Sequence, residues 1–168
     1  MNGIPTPDHA GHRALRHGRI SLSGQVYLLT TVTAQRLWIF AAPRLARASC
    51  KVIASHATWG GSILLAWILM PDHWHGMLQL GHEPLPLAMN RFKALVTQVL
   101  RRECGVVGPI WARGFHDHAL RRDEDMHAAA RYIIANPVRA GLVRSVGDYP
   151  YWNVVGLDPD TAPQLLLL

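Results

Sequence analysis

Residues 62–80 read SILLAWILMPDHWHGMLQL and carry the clearest structural signal in the chain. Two strand-like apolar runs, residues 62–70 and 73–80, lie on either side of the dipeptide Pro71-Asp72. Such runs are typical of β-strands, and proline and aspartate between them are typical of a tight turn. The sequence therefore predicts a β-hairpin at this point.

Outward from the hairpin, the spacing of apolar residues predicts five more elements. They are a strand over residues 25–33, a helix over 42–58, a helix over 85–104, a strand over 110–120 and a helix over 121–136 that ends at Pro137. The order is β-α-β-β-α-β-α, and its first six elements match the split β-α-β pattern of ferredoxin-like sheets. We expect an α+β fold, a ferredoxin-like antiparallel sheet with helices on one face.

The 168 residues suffice for one domain, which we place at residues 25–144, between a basic N-terminal arm (1–24) and a C-terminal tail (145–168). The formal net charge is +6, and it is unevenly distributed. Residues 1–113 hold 12 basic and four acidic residues, whereas residues 114–168 hold five basic and seven acidic ones. A basic body of this kind predicts a polyanionic partner such as nucleic acid.

Several classes of protein are excluded by what the sequence lacks. Cys50 and Cys104 have no CxxC spacing, so neither a disulfide framework nor a thiolate metal site is expected. No apolar run is long enough to span a membrane, which predicts a cytoplasmic protein without a membrane partner. The motifs GxxxxGK[ST] and GxSxG are absent, which argues against nucleotide hydrolysis and serine-hydrolase chemistry.

Two pairs of histidines stand out. His73 and His75 are two residues apart on a predicted strand, so both project from one face, and such a pair can bind a metal ion. His116 and His118 repeat the spacing, which leaves three alternatives open besides a solvated strand face. The four histidines could form one metal site, His118 could orient a local group, or the pairs could resemble those of two-histidine phosphodiesterases. That last class needs a hydroxyl residue where His75 and His118 stand.

The last predicted helix carries a tyrosine and an asparagine at helical spacing. Tyr132 and Asn136 are four residues apart, so they face the same side one turn from each other. Both could approach a metal ion held by the strand. The ordinary alternative is that Tyr132 packs as part of an amphipathic helix and that Asn136 marks the helix end before Pro137.

Taken together, these motifs resemble those of the REP-associated tyrosine transposases, which are related to the single-tyrosine HUH insertion-sequence transposases. The resemblance rests on the basic N-terminal arm and on YLLTTVTAQR, MPDHWHG and GPIWARGFHDHALRRDEDMHAAARYIIANPVRAGLV, and it extends over residues 13–145. This sequence differs from the family at Asp72, where relatives often have Asn, and at Trp74, where an aliphatic residue is usual. We expect the first change to leave the chemistry unaltered and the second to concern packing alone.

The resemblance implies a site and a reaction. His73 and His75 correspond to the metal-binding pair, Asn136 to a further metal ligand and Tyr132 to the nucleophile. The implied activity is a DNA endonuclease and transposase that uses Mg²⁺ or Mn²⁺. It would cut and rejoin single-stranded DNA at REP-type hairpins through a 5′-phosphotyrosine. His118 is a candidate for the group that takes the tyrosine proton.

The resemblance also implies how the DNA is held. The expected partner is single-stranded or hairpin DNA, bound by a monomer or homodimer in the bacterial nucleoid. Arginines near the motifs are the expected DNA-binding residues: Arg13, Arg16, Arg19, Arg113, Arg121, Arg122, Arg131 and Arg139. The alternatives are a non-catalytic hairpin-binding domain of the same fold and a four-histidine metalloenzyme.

Overall fold

The computed structural model describes residues 21–121 and 125–154. Five strands form one antiparallel sheet in the order β4-β1-β3-β2-β5. They are β1 (Val26–Val32), β2 (Ile63–Met70), β3 (His73–Gln79), β4 (His116–Ala119) and β5 (Trp152–Val154). The first four strands have the order of a ferredoxin-like sheet, so the predicted fold class is confirmed.

The predicted hairpin is formed by β2 and β3, which pair from Met70 with His73 outward to Ile63 with Gln79. The longest helix, α3, also begins and ends where the sequence predicts, and Gly105 follows it with a φ of +70°. Glycine adopts this left-handed conformation without steric cost, which explains the sharp helix end. The helices are α1 (Pro43–Ala54), α2 (His56–Trp59), α3 (Leu85–Cys104), α4 (Met126–Ile134) and α5 (Asn136–Arg139).

The helices cover both faces of the sheet, so the expectation of helices on one face alone was wrong. The long helices α1 and α3 pack on one face, as predicted, and bury side chains such as Ile53 and Phe92. The last long helix, α4, packs on the opposite face against β2 and β3 through Ala130, Ile133 and Ile134. We call this second face the α4 face. Within the described ranges, no helix combines the length and apolar character that a membrane crossing requires.

Trp74 lies at the centre of the core on the face covered by α1 and α3. It is fully buried, and its ring lies 5.6 Å from that of Trp59 and 4.7 Å from that of Phe92. The expectation that Trp74 concerns packing is therefore confirmed. Because side chains alternate along a strand, burial of Trp74 on this face directs His73 and His75 to the α4 face.

Gly76 leaves the space that the Trp74 ring occupies. A methyl group at Gly76 would come within 2.2 Å of that ring, and the buried tryptophan has no room to move. We expect Gly76→Ala to lower the free energy of unfolding by about 1–3 kcal/mol, because overpacking forces the surrounding core to shift. Urea denaturation measures the change, and Gly61→Ala is the matched control, since a methyl group there meets nothing within 4 Å. Equal stability of the two variants would contradict this account of Gly76.

The structure differs from the sequence prediction in four elements. The helix predicted over 42–58 is divided into α1 and α2, because Ser55 between them has an extended backbone. The strand predicted over 110–120 pairs continuously only as His116–Ala119, because Gly108 and Gly114 turn the chain with positive φ before it. The helix predicted over 121–136 covers Met126–Ile134, with Asp125 as its N-terminal cap, and a further turn follows through Pro137. The short strand β5 was not predicted, although it pairs with β2 at the sheet edge.

Candidate functional site

The pair His73 and His75 lies on β3 at the turn end of the hairpin. The centroids of the two imidazole rings are 4.7 Å apart, with the rings nearly perpendicular. His73 is largely buried, with 17% of its side chain exposed. The two rings are thus adjacent on the α4 face, as their spacing in the sequence predicts.

Each imidazole is fixed by a hydrogen bond at Nδ1. His73 Nδ1 donates to Asp72 Oδ1 at 2.5 Å, and Asp72 Oδ2 accepts from Arg36 Nη1 at 3.2 Å. His75 Nδ1 lies 2.7 Å from Oγ1 of Thr30, its register partner on β1. Bonds of this kind orient metal-binding histidines and leave Nε2 of each ring as the ligand nitrogen.

The environment of His75 favours its neutral form. The pKa of His75 is lowered from 6.5 to about 4, chiefly because burial disfavours the charged imidazolium. The charges of His73, Arg139 and Arg36 lower this pKa as well, and a hydrogen bond to the Leu29 carbonyl partly opposes them. His75 is therefore uncharged at neutral pH, which is the form that binds a metal ion.

Arg139 connects the helix residues with the histidine pair. Its guanidinium lies 3.7 Å from the ring centroid of Tyr132 and donates to the backbone carbonyl of Tyr132 at 2.9 Å. Nη2 of the same guanidinium donates to Asn136 Oδ1 at 2.7 Å, and its charge reaches His75. In the described part of the chain, no hydrogen bond joins Tyr132 or Asn136 directly to either histidine.

Tyr132 is accessible, with 62% of its surface exposed, whereas Asn136 is half-buried. Asn136 Nδ2 donates to the Ile133 carbonyl at 2.9 Å, so its Oδ1 faces Arg139. Because Tyr132 is exposed, its hydroxyl oxygen is accessible and could attack a phosphate bound at this surface. The tyrosine–asparagine pair predicted from helical spacing is thus held by one arginine.

The second histidine pair does not complete a four-histidine site. Thr30 pairs with His75 on one side and with His116 on the other, so these two histidines lie in one row with a strand between them. His118 lies one row further, opposite Leu28, and is exposed. Among residues 21–121 and 125–154, no group of three or more His, Cys, Asp and Glu side chains could hold a metal ion.

The predicted DNA-binding arginines are dispersed. Arg113 lines an open groove of about 880 Å³ between α3 and residues 109–113, and Arg121 lines a separate cavity of about 450 Å³ beside β4. Arg131 lies 3.8 Å from Asp125 in an ion pair. Four predicted positions lie outside the described residues: Arg13, Arg16, Arg19 and Arg122.

The groove contains basic residues that the sequence reasoning missed. Arg101 and Arg102 line it together with Lys93 and Arg113, and no acidic side chain contributes to its lining. Lys93 Nζ donates to the carbonyls of Ala112 and Gly114 and so fixes one wall. The sequence does show Arg101 and Arg102 in the last turn of a predicted helix. That residues 109–113 lie across a groove from them could be seen only in the fold.

Asp72, Arg36 and Thr30 were also missed. Asp72 was expected to leave the chemistry unaltered, yet its carboxylate orients His73. The sequence does place Asp72 directly before His73, which is a signal for this contact. Thr30 and Arg36 could be found only from the strand register and the loop geometry.

No model of a known protein family matches this chain. It is 32% identical to the REP-associated tyrosine transposase of Escherichia coli K12 over 88 residues, 51% of this chain and 50% of that protein. A relative from Haemophilus influenzae with the same family name is 32% identical over 98 residues, 52% of this chain and 56% of that protein. The chain thus spans about half the length of the curated relatives it matches.

The fold comparison extends over more of the chain. A solved structure of a REP-associated tyrosine transposase bound to a REP hairpin superposes with a TM-score of 0.66 at 25% identity. The match covers 89% of this chain and 87% of that one. In sequence and in fold this chain is therefore similar to REP-associated tyrosine transposases, which confirms the resemblance seen in its motifs.

Proposed function

We propose that this protein is a metal-dependent DNA endonuclease and transposase that cuts and rejoins single-stranded DNA at REP-type hairpins through Tyr132. The observation that carries the proposal is the Arg139 contact set, which joins the accessible Tyr132 and Asn136 to the surroundings of His75. The relatives named above and the hairpin-bound structural neighbour support the same reaction class.

In the proposed reaction, Oη of Tyr132 attacks the scissile phosphorus. A bond forms between that oxygen and phosphorus while the bond to the 3′-oxygen of the neighbouring nucleotide breaks. The tyrosine proton passes to an acceptor, for which His118 remains our candidate, and the leaving 3′-oxygen takes a proton from water to become a 3′-hydroxyl. The 5′-phosphotyrosine keeps the energy of the phosphodiester, so a second strand can be joined without ATP.

His73, His75 and Asn136 are the proposed metal ligands. The two imidazoles fit this role because their Nδ1 atoms are held by Asp72 and Thr30, and Asn136 carries an amide oxygen that now accepts a bond from Arg139. When bound, Mg²⁺ or Mn²⁺ would offset the charge that develops on the phosphate oxygens. Arg139, which stacks on Tyr132, would contact the same phosphate and hold the nucleophile in place.

The basic groove is the proposed contact for the DNA backbone away from the cut. Arg101, Arg102 and Arg113 line it, and Arg102 also forms an ion pair with Glu103 at 2.9 Å. Contacts from arginine to phosphate position a strand without reading its sequence. Arg121 and Arg131 are proposed as further contacts. The same roles are proposed for Arg13, Arg16, Arg19 and Arg122.

The test is incubation of the protein with a labelled hairpin oligonucleotide that carries an unpaired flank, in Mn²⁺, Mg²⁺ or EDTA. We expect a covalent protein–DNA adduct and a released fragment with a 3′-hydroxyl in the presence of either metal, and neither in EDTA. Tight binding with no adduct under any divalent ion would favour the non-catalytic hairpin-binding domain. No binding to hairpin or flank would contradict both.

Asp72 provides a separate prediction about the metal. We expect Asp72→Asn to weaken Mn²⁺ binding about tenfold and Asp72→Ala about 100-fold, the range seen for residues that orient metal-binding histidines. The asparagine can still accept the bond from His73 Nδ1, which explains the smaller effect. Isothermal titration calorimetry measures both affinities, and circular dichroism checks the fold. Unchanged affinity in both variants would show that Asp72 does not act through His73.

A further inference from the structure

Trp38 is exposed on a loop that is hydrogen-bonded to the hairpin turn before His73. It lies in the loop between β1 and α1, and 65% of its surface is exposed, more than for any other described tryptophan. Leu37, the residue before it, is also exposed, at 52%, so the loop presents two large apolar side chains to solvent. An exposed apolar patch, unlike a single apolar residue, often marks a binding surface. Neither the reaction nor the metal pair described above uses Trp38.

The loop that carries Trp38 is held rigidly. Thr33 Oγ1 donates to the Leu37 carbonyl at 2.7 Å and to the Asp72 carbonyl at 3.0 Å, and the Phe40 N–H donates to the Pro71 carbonyl at 2.9 Å. Phe40 itself is buried. Trp38 is thus presented from a loop bonded at both ends to the hairpin turn, directly before His73.

Two residues of this loop have a strained backbone. Gln35 and Arg36 have φ angles of +55° and +57°, a region that residues other than glycine rarely adopt. Strain of this kind persists where the surrounding structure holds it, and it is common at functional sites. Here it allows Arg36 to reach Asp72 while the chain turns to expose Trp38.

Arg36, on the same loop, indicates which class of ligand Trp38 would bind. The side chain of Arg36 is 63% exposed, and its Nη1 donates at 3.2 Å to Asp72, the residue that bonds His73. An exposed aromatic plane two residues along the loop from an exposed arginine fits a nucleotide, because the base can stack on the ring while the guanidinium contacts the phosphate.

We infer that Trp38 is a stacking platform for one unpaired base in the single-stranded flank of the DNA, with Arg36 on the adjacent phosphate. The inference rests on the proposed function, since it assigns a substrate contact to that same site. Under this inference, the paired stem and the unpaired flank of the DNA contact two different surfaces of the protein. The paired stem lies on basic groups alone, whereas the unpaired flank needs an aromatic ring as it approaches His73.

The experiment measures binding by fluorescence anisotropy to three labelled DNAs: a hairpin with an unpaired flank, the same hairpin without the flank, and a hairpin whose flank is abasic. We expect Trp38→Ala to weaken binding to the flanked hairpin about tenfold, as loss of one base–aromatic stack does, and to leave the other two unchanged. Trp38→Phe should restore most of the affinity. Leu87→Ala, which removes an exposed apolar side chain on α3, is the matched control.

Two results would overturn the inference. Unchanged binding of Trp38→Ala to the flanked hairpin would show that no base stacks there. An equal loss on all three DNAs would show that the substitution acts on the fold or on the stem. Formation of the covalent adduct by the wild-type protein is measured in parallel. If the wild-type protein forms the adduct but binding does not depend on Trp38, only the present inference is refuted. If binding depends on Trp38 but no adduct forms, only the proposed reaction is refuted.

Discussion

Tyr132→Phe is expected to abolish the covalent protein–DNA adduct, with a loss of more than about 10³-fold in the rate of cleavage. The substitution removes only the hydroxyl that attacks phosphorus. The ring remains, and with it the contact to the Arg139 guanidinium at 3.7 Å. Because the side chain is exposed, the fold should be unaffected. Denaturing gel electrophoresis of the labelled hairpin after incubation with Mn²⁺ measures the adduct.

Tyr151→Phe is the matched control for this prediction. Tyr151 is a half-buried tyrosine whose ring packs against Tyr149, and the substitution removes the same hydroxyl group. We expect it to form the adduct at the wild-type rate. Binding of the hairpin by Tyr132→Phe should also be unchanged within twofold, so that the loss is one of chemistry. An adduct that persists in Tyr132→Phe would falsify the assignment of the nucleophile.

The second large effect is expected at the histidine pair. His75→Ala removes a neutral, oriented imidazole from the proposed metal site, and His73→Ala removes its neighbour at 4.7 Å. We expect each to weaken Mn²⁺ binding by more than about 100-fold, since loss of a ligand costs more than loss of the residue that orients it. Calorimetric titration with Mn²⁺ measures the affinity, and cleavage should fall with it.

His116→Ala separates this site from one built of four histidines. His116 lies in the same row as His75, but β1 and Thr30 stand between them. We expect Mn²⁺ affinity in His116→Ala to be unchanged. A loss comparable with that of His75→Ala would mean that the second pair contributes ligands and that our assignment of Asn136 is wrong.

The sequence was sufficient to predict the central elements of the fold. The hairpin strands and α3 are bounded by Pro71, Asp72 and Gly105, whose backbone preferences end the elements within a residue or so of the predicted places. Where the boundary depends on tertiary pairing, the prediction was less accurate. The segment before His116 has strand-like composition, but Gly114 turns it, and only Trp111 forms an isolated bridge with Thr33.

In the candidate site too, features set by local periodicity were predicted, whereas contacts between elements were not. His73 and His75 were predicted to share a face because a strand has a period of two, and Tyr132 and Asn136 because a helix has a period near four. Contacts between elements could not be predicted in this way. The pairing of Thr30 with His75 needs the register of β1 and β3, and the position of Arg36 needs a loop with positive φ. Asp72 was visible but was assigned no role.

Arg139 is the clearest case of a residue whose role changed between sequence and structure. From the sequence it is one of eight arginines expected to contact DNA. In the structure its guanidinium stacks on the Tyr132 ring, donates a hydrogen bond to Asn136 and lowers the pKa of His75. Arg139 thus connects the two helix residues with the histidine pair. Its part in binding phosphate stays a prediction.

The central claim, that Tyr132 forms a 5′-phosphotyrosine, is tested most directly by peptide mapping of the adduct. The wild-type protein is incubated with the flanked hairpin and Mn²⁺, digested with trypsin and nuclease, and analysed by tandem mass spectrometry. We predict a nucleotide joined through its 5′-phosphate to the peptide that contains Tyr132. A nucleotide on another residue, or one joined through its 3′-phosphate, would contradict the account.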